Sequence, residues 1–375
     1  MKRSLHLSCI VLLAFLLLHA CKENNENLEP STSLKIENEI KAALDSVIEN
    51  THVPGLVAGV WAPDEGIDLA YAAGIANINT QEPMSTDMIF RIGSNTKTMT
   101  VTVLLQLVDE GLLNLDDKLS EYLPDFPRAD DVTIEMLTNM RSGIYSFTDS
   151  ESFINTWSEN PTKFWHTDSL IAIAAAHPFY FDPGTGFHYS NSNTVIIGKI
   201  IKMITGNSLE SNIRSRIVGP LGLENTIYMI AGTELPGFHS CAYFMGTYDP
   251  DYPEYSECID ISWAGAAGAA ISTLSELKIY VESLTNGYFL SEELQEQRMI
   301  CHAMSPQTDV RYGMGIFTYQ GFYGHNGGLP GYSSLMVNSP EHNCTIIIWY
   351  NCKLDNSDPT SFLKIIPGII YPELK

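Results

Sequence analysis

Strand-like runs lie near both ends of this 375-residue chain, with a helical stretch between them, and this distribution constrains the fold more than any other feature. Leu56–Trp61 and Ile67–Ala72 read as two strands joined through Pro63-Asp64-Glu65-Gly66, a turn sequence. Far downstream, Gly313–Thr318, Ser333–Val337 and Thr345–Tyr350 read the same way. The simplest architecture is one antiparallel sheet built from both chain ends. Helices flank it. Leu34–Asn50 carries apolar residues at Ile36, Ile40, Ala43, Leu44 and Val47, which is helical spacing, and Thr273–Leu284 also reads as a helix. In between, Val132–Leu137 looks helical, with Asp131 or Thr133 near its start. The apolar run Thr194–Ile201 reads as a buried helix ending at Gly206. The fold class expected is therefore α+β. Residues 34–115 and 263–375 form the two parts of one α/β domain, and 116–262 a mostly helical insertion domain.

The first 20 residues read as a secretory signal. Lys2 and Arg3 are basic, and the apolar run Cys9–Leu18 is too short to span a bilayer. The segment ends Leu18-His19-Ala20-Cys21 and resembles a bacterial lipoprotein signal, with Cys21 as the lipidated residue and 21–33 as a polar tether. An envelope lipoprotein, held to the membrane by an N-terminal lipid anchor, is expected. The formal charge is −23, which disfavours nucleic acid as a partner because phosphate binding needs basic groups. No close Cys/His pair has zinc spacing, so no metal is expected. Cys241 and Cys258 lie symmetrically about Asp249-Pro250-Asp251; a hairpin there would let them face each other as a disulfide. A strand through Tyr350 keeps Cys344 and Cys352 apart.

Three short motifs carry chemistry. In Gly93-Ser94-Asn95-Thr96-Lys97, Ser94 opens a helix and Lys97 sits one turn on, on the same face. A serine hydroxyl is a weak nucleophile until a base takes its proton. Lysine serves as that base only where burial or a helix N-terminus destabilises its ammonium. Ser-x-x-Lys alone is weak evidence, and Ser275–Lys278 is a second copy. Tyr189-Ser190-Asn191 puts a phenol and an amide on one turn, and a nearby cation such as Lys97 would acidify the phenol. His325-Asn326-Gly327 lies in a glycine-rich strand where a ligand can approach the backbone and a histidine can bind or relay a proton.

In this order the three motifs resemble those of the penicillin-recognising serine hydrolases: class C β-lactamases, D-alanyl-D-alanine carboxypeptidases and related esterases. The resemblance runs from about Val53 to Asn351. It implies a β-lactamase/transpeptidase-like fold with its site between the α/β and helical domains, and no cofactor. It also implies Ser94 as nucleophile, Lys97 as its base and Tyr189 as proton shuttle to the leaving group. Asn191 becomes a partner of the substrate amide or of Lys97. His325 and Gly327 would line the substrate strand, with Gly328 and Ser94 supplying oxyanion N–H groups and Trp263 lining the cleft. His-Asn-Gly in place of Lys-Thr-Gly points away from class C β-lactamases and toward carboxypeptidases and esterases. The strand before it, Ile316–Tyr319, lacks the arginine that the soluble carboxypeptidases tend to use for a terminal carboxylate.

The leading expectation is thus an exported serine hydrolase, closest to the soluble D-alanyl-D-alanine carboxypeptidases, that cleaves an amide or ester (carboxypeptidase-like or β-lactamase-related) through an acyl-enzyme on Ser94, with a peptidoglycan stem peptide or β-lactam as partner. An esterase or D-amino-acid amidase of the same family is one alternative. A low-turnover lipoprotein that binds penicillin or peptidoglycan is another. An ordinary α/β-hydrolase would need Gly-x-Ser-x-Gly, and Gly93-Ser94-Asn95-Thr96 lacks the second glycine.

Overall fold

The computed structural model describes residues 31–244, 256–353 and 358–374; the signal segment and Cys21 lie outside them. Helix α1, Thr32–Asn50, starts where the Ser31 hydroxyl accepts the Leu34 N–H. It leads into β1 (Gly55–Ala62), β2 (Ile67–Asn77) and a two-residue β3 (Glu82–Pro83). The later strands are β4 (His302–Ala303), β5 (Arg311–Tyr312), β6 (Phe317–Tyr319), β7 (Phe322–Leu329), β8 (Tyr332–Ser339) and β9 (Cys344–Tyr350). They form one sheet in the order β3-β2-β1-β9-β8-β7-β6-β5-β4, and its described pairings are antiparallel. The two ends of the chain meet where β1 pairs with β9, from Leu56 opposite Tyr350 to Trp61 opposite Thr345.

Both faces of the central strands are covered, which explains why β9 is apolar at nearly every position rather than at alternate ones. Ile346 and Ile348 join Leu56, Val60, Leu335 and Val337 beneath Ile40 and Leu44 of α1 and Phe362 and Ile366 of the C-terminal helix α8 (Phe362–Ile370). Ile347 and Trp349 face the other way, into a core shared with α2 (Thr96–Asp109), α6 (Asn191–Thr205) and α7 (Leu274–Thr285). Trp349 is fully buried and stacks on Phe90 with ring centroids 4.4 Å apart. Its replacement by alanine costs about 3–5 kcal/mol.

The same core continues into the helical segment through Leu137 of α3 (Ile134–Thr138), Phe153 of α4 (Glu151–Glu159) and Ile171 of α5 (Thr167–Ala175). Thr133 caps α3, its hydroxyl accepting the Met136 N–H. Helix α6 buries Val195, Ile196, Ile197, Ile200 and Ile201, and stops at Gly206, whose φ of +71° suits a left-handed cap.

Two expectations fail. The strand expected over 313–318 begins only at Phe317. Gly315 has φ +71° and packs so tightly on Val101 that a methyl group on it would lie 2.6 Å from that residue's Cβ, so Gly313–Ile316 form a turn. Nor do Cys241 and Cys258 form a disulfide; both are thiols. Tyr243–Phe244, beside Cys241, pairs in parallel with Cys352–Lys353. The turn expected at 249–251 lies outside the described residues.

Candidate active site

Ser94 sits in a single 3-10 turn, Gly93–Asn95, that runs straight into α2. Lys97 is one turn further and wholly buried. Its Nζ lies 3.0 Å from Ser94 Oγ, and it donates to Asn191 Oδ1 (2.7 Å) and to the Ala267 carbonyl (2.8 Å). Among the described residues no carboxylate pairs with it. Burial therefore pushes its ammonium well below the usual lysine range. A neutral amine has two N–H bonds and one lone pair. The two carbonyl oxygens can only accept, so in the neutral form they would take both N–H groups and leave the lone pair facing the Ser94 hydroxyl. Asn191 opens α6 and is committed on both sides, because its Nδ2 donates to Thr148 Oγ1 (3.1 Å). Of the two roles open to it, the geometry gives it that of a Lys97 partner.

Tyr189 arrives from the loop before α6, and Lys97 Nζ lies 4.9 Å from its ring centre. Its hydroxyl is screened from solvent and makes no hydrogen bond of good geometry. Burial pushes the phenol's pKa up, and the nearby Ser94 hydroxyl works against that shift. The acidified tyrosine expected from the sequence is thus corrected. Burial outweighs any acidifying influence there, so Tyr189 keeps its proton and stands as a donor beside the Lys97 amine.

Gly327 and Gly328 lie on β7. A methyl group on Gly327 would sit 2.0 Å from the Ile92 carbonyl, and one on Gly93 would sit 2.8 Å from Gly328 N. These glycines let the strand press against the turn that carries Ser94, bringing the Gly328 N–H to that turn. Strand β6 pairs with β7 only at Phe322–Gly324, so one edge of His325–Leu329 has no strand partner among the described residues.

His325 differs from expectation. It is 1% exposed and packs near Tyr189, Tyr312 and Phe317. Its Nδ1 lies 2.5 Å from the Asn326 carbonyl, which can only accept, so the proton sits there. Nε2 then accepts from the Tyr312 hydroxyl at 3.0 Å. Burial, reinforced by Lys97, pushes its pKa down to about 3, against the pull of the Asn326 carbonyl. A neutral ring with both nitrogens engaged is not a ready proton relay or carboxylate cation.

Two cavities meet these groups. One of about 330 Å³ is lined by Ser94, Asn191 and Gly328 and walled by Phe147, Phe153, Trp157 and Trp263. Trp263 thus lies where the sequence resemblance puts it. The other, about 880 Å³, is lined by Tyr189 and His325. The structure brings together all the singled-out positions among the described residues. Phe147, Thr148, Trp157 and Tyr312 were not foreseen. Each comes from a short helix or a two-residue strand, and no spacing rule ties it to a motif. The second Ser-x-x-Lys stands apart: Lys278 pairs with Glu282 at 2.9 Å, one helical turn away.

Comparison with known proteins fits this geometry. The profile of the beta-lactamase family matches residues 39–361. The chain belongs to the beta-lactamase family. Among its relatives, penicillin-binding protein 4* of Bacillus subtilis (strain 168) is 24% identical over 322 residues, covering 82% of this chain and 71% of that protein. The chain spans only 47% to 64% of several other matched relatives. Among solved structures, a D-stereospecific amidohydrolase from Streptomyces sp. superposes with a TM-score of 0.80 at 28% identity, covering 90% of this chain and 99% of that one. The D-amino acid amidase of Ochrobactrum anthropi SV3, complexed with L-phenylalanine amide, gives 0.76 at 26% identity, covering 91% and 98%. The beta-lactamase family is a family of serine hydrolases, and the α+β fold read from the sequence is the one these structures share.

Proposed function

We propose that this member of the beta-lactamase family cleaves an amide or ester bond on the carbonyl side of an apolar D-amino-acid residue, through an acyl-enzyme on Ser94. The observation that carries this reading is the buried Lys97 amine, 3.0 Å from Ser94 Oγ and otherwise bound to two neutral carbonyl oxygens. Lys97 takes the Ser94 proton as Oγ attacks the substrate carbonyl. The oxyanion is held by the N–H groups of Ser94 and Gly328. As the bond to the leaving atom breaks, Tyr189 gives that atom its proton and regains one from the Lys97 ammonium. Water then attacks the ester by the reverse route, with Lys97 or Tyr189 as base.

The aromatic wall around Ser94 supports an apolar acyl residue. The D-specific activities named for similar solved structures support the stereochemistry. Among the described residues no arginine lines either cavity, which weighs against a free C-terminal carboxylate beside the scissile bond. The signal-like start and Cys21 support an anchored enzyme at the cell envelope, where stem peptides carry D-residues.

The test is hydrolysis of D- and L-phenylalanine amide by the purified protein and by Ser94→Ala. Turnover at least about tenfold faster for the D form, and absent in Ser94→Ala, is expected. Preference for the L form, or turnover that survives in Ser94→Ala, refutes the reading.

A further inference from the structure

We infer that Asn95 and Ser334 are positioning residues for acyl transfer: together they hold the turn that carries Ser94 against β7, and so set the spacing of the Ser94 and Gly328 N–H groups. The inference rests on the mechanism proposed above and deepens it. Asn95 and Ser334 are 0% and 1% exposed. Neither lines the cavity at Ser94, so neither meets the substrate. Their hydrogen bonds close a triangle on one carbonyl. Asn95 Nδ2 donates to the Ile92 carbonyl (2.8 Å) and to Ser334 Oγ (2.8 Å), and Ser334 Oγ donates to the same carbonyl (3.0 Å). A carbonyl can only accept. The amide nitrogen of Asn95, not its oxygen, must therefore face Ile92, and the serine proton must point there too. All three protons are thereby placed.

The triangle closes over Gly327. Ser334 of β8 stands directly opposite Gly327 of β7 in the strand pairing. A methyl group on Gly327 would lie 2.0 Å from the Ile92 carbonyl oxygen, 2.6 Å from Ser334 Oγ and 3.0 Å from Asn95 Nδ2. Gly328 is the next residue of that strand, so its N–H is placed by the same contact. The other ties of the turn face elsewhere. Thr96 Oγ1 donates to the Gly93 carbonyl and accepts the Ala270 N–H, and the Ile92 N–H donates to the Ala270 carbonyl. They fix the turn to Ala270–Ser272, a strand of a separate small sheet, and leave its distance to β7 unset. As a stabilising device the triangle is poor. Asn95 Oδ1 is buried and makes no hydrogen bond among the described residues, a loss that an apolar side chain would avoid. What asparagine supplies and leucine does not is two N–H groups at a fixed angle, one to each corner of the triangle. A small misplacement of an oxyanion donor is felt in the rate long before it is felt in the fold.

The experiment compares Ser334→Ala, Asn95→Leu and the double variant with the parent protein. Three quantities are read on each: urea unfolding, the rate of Ser94 acylation by a penicillin, and the infrared band of the acyl-enzyme ester carbonyl, marked with carbon-13 in the drug. Each single variant strands a buried polar group and is expected to lose stability. The double variant replaces both partners by apolar groups and is expected to regain most of that loss. Its acylation is not expected to recover, and should stay about tenfold slower than the parent's. Its ester carbonyl band is expected at higher wavenumber, because weaker donation from the oxyanion N–H groups leaves the C=O bond stronger. Acylation within about threefold of the parent, in the double variant or in Ser334→Ala should the double variant not fold, overturns the inference. Slower acylation with an unmoved carbonyl band also overturns it, since the triangle would then be structural only. A parent protein in which no acyl-enzyme forms overturns the mechanism, and the inference with it.

Discussion

Gly93→Ala tests the oxyanion site without removing a functional side chain. Gly93 has φ +55°, and its added methyl group would sit 2.8 Å from Gly328 N and 3.2 Å from Gly327 Cα. Ordinary contact needs roughly 3.5 Å, so β7 must withdraw from the Ser94 turn by roughly 0.5 Å or more. The obstructing atoms are backbone, so no rotamer change relieves the contact. Holding alanine in a left-handed conformation adds about 1–2 kcal/mol of destabilisation. The larger effect is on rate. Losing one oxyanion donor costs about 10²–10³ in kcat, and a displaced donor is expected to cost about 10²-fold. The assay is the rate of Ser94 acylation by a penicillin, read by time-resolved intact mass, with urea unfolding alongside. Acylation slower by about 10²-fold in a folded variant is expected. A rate within about threefold of the parent would refute the role given to Gly328 N–H.

Four further outcomes are expected. Lys97→Met should abolish acylation and flatten the dependence of stability on pH. Burial lowers the amine's pKa in the fold, while the unfolded chain keeps that proton until about pH 10.4, so the parent's stability rises with pH between the lowered value and about 10.4, measurable by urea unfolding at a series of pH values up to about 10. His325→Gln should leave the acid limb of kcat/KM where it is, because the ring does not titrate near neutrality. It should also shift acid unfolding to lower pH, because in the parent the unfolded state gains a histidine proton below about 6.5 that the fold refuses down to about 3. Trp263→Ala should lower kcat/KM for D-phenylalanine amide by about 10–100-fold and for D-alanine amide much less, in paired rate assays. Ser275→Ala should leave penicillin acylation unchanged, as judged by intact mass, since Lys278 is committed to Glu282.

Much of the frame was legible in the sequence for physical reasons. Strands covered on both faces are apolar throughout, so Thr345–Tyr350 announced itself, and Gly206 marked the end of α6 through the left-handed cap that glycine fills. Helical spacing put Lys97 on the face of Ser94. Spacing is silent on environment, however. The charge state of Lys97 depends on the Ala267 carbonyl and Asn191, distant in sequence. The same blindness misjudged Tyr189 and His325, whose titration is set by burial among residues distant in sequence, such as Tyr312 on a strand of two residues. At Gly315 an extended-looking run hides a positive φ, and nothing in Gly-Met-Gly distinguishes a turn from a strand.

The most direct measurement is the intact mass of the protein after exposure to a penicillin, run beside Ser94→Ala and Ser275→Ala. With Ser94 as the nucleophile, an adduct of one drug molecule forms on the parent and on Ser275→Ala and is absent from Ser94→Ala. An adduct that survives in Ser94→Ala would contradict the assignment of the nucleophile, and with it the roles given to Lys97 and Tyr189.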